Sequence, residues 1–212
     1  MISGWSKMTN FYGSNKRTSK NNWNHLMFCH THGKGNTSNN PNNTSNSNIT
    51  AIAGNWIEAV GTILSAIGST PSTIFTEQTL TDFNVIGNIL QAGGSAIEVE
   101  SEDSLLDRVG DELQAIGNLT VVAGILNKNE QTSELLQTQG NLLQVVGGGI
   151  SLNTQGRLTL LESIANTGDI IQLIGNAIQV FADSDTKEGV VMGAVGAWIQ
   201  AVGAVITALA TD

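Results

Sequence analysis

Proline disappears from this chain after Pro71, and residues 51–212 contain no histidine, cysteine or tyrosine. The first absence means that nothing in the C-terminal two thirds forces a helix to break. The second removes the commonest general bases, the thiol nucleophile and most metal ligands, so catalysis is not expected of this region. Carboxylates and hydroxyls remain, without triad or metal spacing. The single cysteine, Cys29, excludes an intrachain disulfide. Charge is also scarce: 13% of residues are Asp, Glu, Lys or Arg and 5% are aromatic, where an ordinary soluble domain carries about a quarter charged residues. A surface that poor in charge invites association. The longest apolar run near the N-terminus is Leu26-Met27-Phe28-Cys29, too short for a secretory core, so cytoplasmic synthesis without a signal peptide is expected.

What the chain has in abundance is glycine, 24 in 212 residues, and the glycines are placed. The phrase Gly54-Asn55-Trp56-Ile57-Glu58-Ala59-Val60-Gly61 returns five times, with glycines seven apart at Gly54/Gly61, Gly87/Gly94, Gly117/Gly124, Gly140/Gly147, Gly168/Gly175 and Gly196/Gly203. Fixed-period self-similarity marks a repeat architecture. Counting from the first glycine of each copy, offset +1 reads Asn55, Asn88, Asn118, Asn141, Asp169, Ala197, and offset +4 reads Glu58, Gln91, Val121, Gln144, Gln172, Gln200. At about 100° per residue, offsets +1, +4, +8 and +11 fall in one helical stripe about 80° wide, and the other offsets are mostly Ile, Leu, Val, Ala or Trp. Alternation with period two, the mark of a strand, is absent. The pattern predicts mostly buried helices, each with one narrow amide-rich stripe. Glycine inside a helix costs about 1 kcal/mol against alanine, so twelve at fixed spacing imply close helix packing as compensation. The third copy departs from the phrase, with Thr120, Val121 and Val122 where the others carry an amide stripe.

The fold class expected is all-α: a six-helix repeat array at 49–212, either an up-down bundle or a short helical solenoid, preceded by a disordered tail at 1–48. Seven of the thirteen residues from Asn36 to Asn48 are Asn, a tract that cannot bury enough apolar surface to order itself. The tail holds Lys7, Lys16, Arg17, Lys20 and Lys34 without an acid, giving it +5, while residues 51–212 carry −14 of the net −9. An acidic repeat domain gives no support to nucleic-acid binding, and the basic tail suits an anionic surface. The tail also gathers His25, Cys29, His30 and His32, weak metal-ligand candidates whose spacing matches no standard zinc site, so no metal or other cofactor is expected.

Along the array, helices are expected at about Thr50–Ile67, within Thr76–Glu98, up to about Leu126, through Gly147-Gly148-Gly149, over about Arg157–Ala182 and over Glu188–Leu209. The glycine triplet lacks the Lys-Ser/Thr of a phosphate loop. The acidic junction from Glu98 to Glu112 lacks the twelve-residue loop of an EF-hand and reads as a solvated face. Capping boxes are expected at Ser104/Asp107 and Asp185/Glu188. Residues 189–211 run uncharged for long enough to cross a bilayer, but Gln200, small-residue contacts and a mid-span Trp198 favour burial within protein. The first and last copies are the most alike, each centred on a tryptophan, Trp56 and Trp198. Those ends are expected to bury against each other, closing one bundle or joining successive subunits.

The phrase as it stands at Gly87–Gly94 and Gly140–Gly147 resembles the glycine-rich repetitive proteins of unknown function from spore-forming bacilli. The resemblance covers about residues 49–212 and implies a repeat architecture and a source, but no functional residue. The function expected is therefore structural: a spore-related or other assembly in which helices self-associate through glycine-notched apolar faces into a homo-oligomer, with Trp56 and Trp198 at the contact. No small-molecule substrate is evident. The alternative is a membrane-active or pore-forming helical protein that enters lipid through residues 189–211.

Overall fold

The computed structural model describes residues 41–102, 104–152, 158–183 and 185–211, with side chains from residue 48 onward. Six helices account for almost all of it: α1 (Pro41–Ser69), α2 (Glu77–Ser101), α3 (Leu105–Ile125), α4 (Glu130–Ser151), α5 (Leu160–Val180) and α6 (Lys187–Ala210). No strand occurs among the described residues. The fold is all-α, as the 3.6-residue periodicity requires. α1 starts at Pro41, eight residues ahead of the boundary expected at 49. A proline at the first helical position has its φ preset and gives up only an N–H that the helix leaves unpaired in any case.

The helix starts are set by short polar side chains. Thr76, Ser104, Asn129, Thr159 and Thr186 stand at the N-caps of α2 to α6, each accepting from a backbone N–H three residues on. This satisfies one of the orphan donors at each start. The box expected at Asp185/Glu188 is not formed. Thr186 caps α6 instead, its Oγ1 accepting from Gly189 N at 3.0 Å. The complete capping box lies at α5, where Glu162 reaches back to the Thr159 N–H at 2.7 Å while Thr159 Oγ1 accepts from Glu162 N at 3.2 Å. Those two bonds hold the Glu162 carboxyl below its ordinary value.

The helices run alternately up and down, and each packs its backbone against its two neighbours, with α6 returning to α1. The result is a closed ring built from three hairpins, α1·α2, α3·α4 and α5·α6. The ends of the array close one bundle within a single chain. Their seam is alanine: Ala59 meets Ala204 and Ala208, and Ala66 meets Ala197 and Ala201.

The polarity of this ring reverses the expectation of buried apolar arcs. Among the described residues the buried apolar ones are ten in number, all alanine except Val121. The buried polar ones are Glu58, Thr62, Ser65, Asn88, Gln91, Ser95, Asp111, Asn118, Gln144, Asn176, Gln200 and Thr207. Large apolar side chains stand outside instead, among them Trp56, Ile86, Ile89, Leu119, Leu142, Val146, Ile174, Val195 and Trp198. A stripe only about 80° wide fits the narrow wedge each helix presents to the axis of a six-membered ring. The broad apolar arc is left to make the seams and the outer face.

Candidate functional site

The hairpins are held by reciprocal glycine contacts. A Cβ placed on Gly61 would lie 2.7 Å from the carbonyl oxygen of Gly87, and one on Gly87 2.6 Å from that of Gly61. The same mutual approach joins Gly54 with Gly94, Gly110 with Gly147, Gly117 with Gly140, Gly168 with Gly203 and Gly175 with Gly196, all between 2.5 and 3.0 Å. No side chain fits there, so backbones touch at two levels in every hairpin, with Cα–H groups set against carbonyls. Gly124 lies one level further out, where an added Cβ would stand 2.8 Å from Ser133 O.

Gly110 is the position that sequence reasoning missed, and it reframes the third copy. Gly110-Asp111-Glu112-Leu113-Gln114-Ala115-Ile116-Gly117 matches the phrase with its acid at +1 and glutamine at +4. The apparent interruption at Thr120–Val122 came from starting one heptad late. A signal was present: Gly110 stands seven residues before Gly117. With that frame, the +4 residues are Glu58, Gln91, Gln114, Gln144, Gln172 and Gln200, one from each helix.

Because facing glycines pair offset 0 with offset +7, the +4 residues of all three hairpins fall near mid-height and form an equator. Side chains lean toward their own helix N-terminus, so residues on odd and even helices lean to opposite ends. Gln91, Gln144 and Gln200, on the even helices, meet across the axis. Gln200 Nε2 donates to Gln91 Oε1 at 2.8 Å and to Gln144 Oε1 at 3.2 Å, and Gln179 Nε2 donates to Gln200 Oε1 at 3.0 Å. This amide knot separates two polar cavities. Toward the α1/α2 turn, one of about 210 Å³ is lined by Ser65, Asn84, Asn88, Glu134, Gln137, Thr138, Asn141 and Gln179. Here Asn88 Nδ2 donates to Asn84 Oδ1 at 2.8 Å and to Ser65 Oγ at 3.1 Å.

At the opposite end, a cavity of about 290 Å³ takes Glu58, Glu98, Asp111 and Asp169 into its wall, with Gln114, Gln172 and Asn176 beside them and Glu102 and Asp107 further out. Among the described residues, its lining contains no lysine or arginine. Hydroxyls from the hairpin partners donate to three of the four: Thr207 to Asp169 at 2.8 Å, Ser151 to Asp111 at 3.4 Å and Ser95 to Glu58 at 3.4 Å, and Gln114 Nε2 also donates to Asp111 Oδ1 at 3.4 Å. Glu98 Oε1 is shut off from solvent and accepts no hydrogen bond.

The other expected positions fall as follows. Trp56 and Trp198 lie on the outer face, 42% and 43% exposed, and they do not bury against each other. Trp198 Nε1 donates to Thr70 Oγ1 at 2.9 Å, tying α6 to the end of α1. His25, Cys29, His30 and His32 lie outside the described residues. Among the described residues, no group of three or more His, Cys, Asp or Glu side chains stands close enough to hold a metal ion directly. Residues 189–211 divide their surface: Ala194, Ala197, Ala201, Ala204 and Ala208 are buried, while Val191, Val195, Trp198, Val202 and Leu209 are exposed.

Fold and site together define a class: a glycine-notched helical repeat protein, closed into a six-membered ring with polar side chains on its axis. Within that class the chain belongs to a family of unknown function, DUF6944, whose sequence model matches residues 49–208. No curated protein and no solved structure matches it.

Proposed function

We propose that this chain is a membrane-embedded helical barrel, with its outer face in lipid and its amide and carboxyl side chains lining a polar axis. The observation that carries the reading is the reversed polarity: among the described residues, twelve buried polar ones stand against an outer face of large apolar ones. In water that arrangement leaves the hydrophobic effect unused. In a bilayer it is the favoured one, since polar residues there face the bundle interior and small residues make the helix contacts.

Dimensions support the same reading. Exposed charged residues such as Asp82, Glu100, Lys128 and Lys187 stand toward the helix ends and in the connections, while Glu112, two residues past the notch glycine Gly110, is exposed nearer mid-height. The uncharged stretches 113–125 of α3 and 135–151 of α4 are each about 20–25 Å long at 1.5 Å per residue, against roughly 30 Å for a hydrocarbon core, and in the register set by Gly110/Gly147 and Gly117/Gly140 they overlap over part of that height. Two helices, Asn48–Ser69 and Lys187–Ala210, are long and apolar enough to span alone, with mean hydropathy 1.3 and 1.8. The other helices would enter as ring members, with Asn88, Gln91 and Gln144 already paired inside.

The self-association reading asked the glycine notches to face a second copy. The structure uses those notches inside its own hairpins, which leaves only the smooth apolar exterior for polymer contacts. Liposome flotation of the full chain, followed by alkaline carbonate extraction, separates the two readings. Co-flotation that resists carbonate is expected. Protein left at the bottom of the gradient as filaments or sheets under negative stain overturns the membrane reading in favour of assembly.

A further inference from the structure

We infer that the axis is a path for water and small uncharged solutes across the bilayer, closed at mid-height by a single layer of glutamine side chains. Such a path requires the membrane reading above, since only in lipid does the axis join two compartments. The two polar chambers together run the length of the ring. One, of about 210 Å³, reaches from Gln144 and Gln200 to Ser69 at the end of α1 and Gly189 in the first turn of α6. The other, of about 290 Å³, reaches from Gln144 to Glu102, Ser151 and Thr211, at the ends of α2, α4 and α6. Each has room for several waters. Gln144 stands in the wall of both chambers, so what parts them there is one side chain thick.

The parting layer is neutral and is held by side chains alone. Gln200 Nε2 donates to Gln91 Oε1 and Gln144 Oε1, and Gln179 Nε2 donates to Gln200 Oε1, while the backbones of α2, α4 and α6 do not pack together across the axis. Rotation about side-chain torsions therefore parts the layer with every helix left in place. A water crossing it exchanges one hydrogen bond for another, because an amide offers both donors and an acceptor. An ion must shed its shell against groups that carry no charge. Carboxyls do line the chambers, with Glu134 in the first and Glu58, Asp111 and Asp169 among those in the second. The bonds that close the layer run among glutamines alone, so a cation drawn to either chamber still meets a neutral barrier.

The test is osmotic shrinkage of vesicles holding the full chain, followed by stopped-flow light scattering once flotation and carbonate extraction have shown it inserted. Chain that does not co-float ends the membrane reading and this path with it. Inserted chain whose vesicles shrink no faster than protein-free ones overturns the path alone. The expected result is shrinkage several-fold faster than in protein-free vesicles, with no added leak of potassium. Gln144→Ala should raise the rate further and admit glycerol. Gln144→Leu, which sets an apolar plug with no hydrogen bond to exchange between the chambers, should lower it. Gln139→Ala, on the exposed side of the same helix, should match the parent. A potassium leak that rises with the water rate, or a rate indifferent to both Gln144 variants, overturns the proposal. Should either Gln144 variant fail to co-float, the temperature dependence of the parent's shrinkage decides, because water crossing bare lipid must first dissolve in hydrocarbon. A shallower slope than that of protein-free vesicles supports the path, and an equal slope overturns it.

Discussion

Gln200 Nε2 donates to Gln91 Oε1 at 2.8 Å, joining α6 to α2, two helices whose backbones do not pack together. Both residues are almost fully buried, Gln91 at 1% exposure, and the same Gln200 amide also reaches Gln144 on α4. Replacing Gln200 by methionine keeps the volume but strands two acceptors. A buried acceptor left unpaired costs about 1–3 kcal/mol, so Gln200→Met should destabilise the bundle by that order in a chemical denaturation series. Gln91→Met alone should cost a similar amount, and the double variant less than the sum of the two. Strict additivity would mean that the equatorial knot does not exist.

The glycines divide into two kinds, and alanine should tell them apart. At Gly175 an added Cβ would lie 2.5 Å from Gln200 N and 2.6 Å from Gly196 O, both backbone atoms that cannot turn aside. Gly175→Ala should therefore force α5 and α6 apart and lower stability by about 1–3 kcal/mol. At Gly93 nothing stands within 4 Å, so Gly93→Ala keeps only the helix-propensity gain and should stabilise by up to about 1 kcal/mol. Opposite shifts in Tm are the expected outcome. A loss of similar size at both positions would remove the packing account.

The sequence made the helices, their number and the heptad of notches readable, because Gly54/Gly61 and its relatives repeat a physical requirement of each hairpin. It misled about which face is inside. A stripe of Asn, Gln and Asp beside a broad apolar arc reads as a solvent face under the rule for a bundle in water. The narrowness of the stripe was the clue, since it matches the axial wedge of a closed ring. Gly110 was lost for a different reason: framing the third copy from Gly117 hid the fact that α3 carries three glycines in heptad register, Gly110, Gly117 and Gly124. The acidic chamber was out of reach, because Glu98 and Asp169 share a cavity only once α2 and α5 face each other across the axis.

Thr186 and Thr159 should show that caps, rather than nearby acids, begin the last two helices. Thr186→Ala removes the acceptor of Gly189 N and should cost about 1 kcal/mol, while Asp185→Ala should change little. At α5 the Thr159/Glu162 box adds a pH signature. The Glu162 carboxyl is held below its ordinary value by the Thr159 backbone and side-chain bonds. Its stabilisation is therefore complete above that ordinary value and lost as pH falls through the depressed folded one. Glu162→Gln should flatten that part of the acid limb of a stability–pH curve. An unchanged limb would show that the box is open in solution.

The sign of one kind of substitution separates a face in lipid from a face in water. Ile89 on α2 and Leu142 on α4 are each 49% exposed and sit near mid-height, two residues past a notch glycine. If that face meets water, Ile89→Arg or Leu142→Arg removes an exposed apolar group, and such surface changes usually stay within about ±0.5 kcal/mol; the variant should be at least as soluble as the parent. If it meets hydrocarbon, an arginine at mid-span costs roughly 2.5–3.5 kcal/mol, and the co-floating fraction should fall sharply for either variant. An arginine at Leu126 or Phe181, both exposed beyond the helix ends, should leave flotation intact because it reaches the interface. Position-dependent loss is what a bilayer predicts. Equal tolerance at mid-height and at the ends would place this surface in water or against protein.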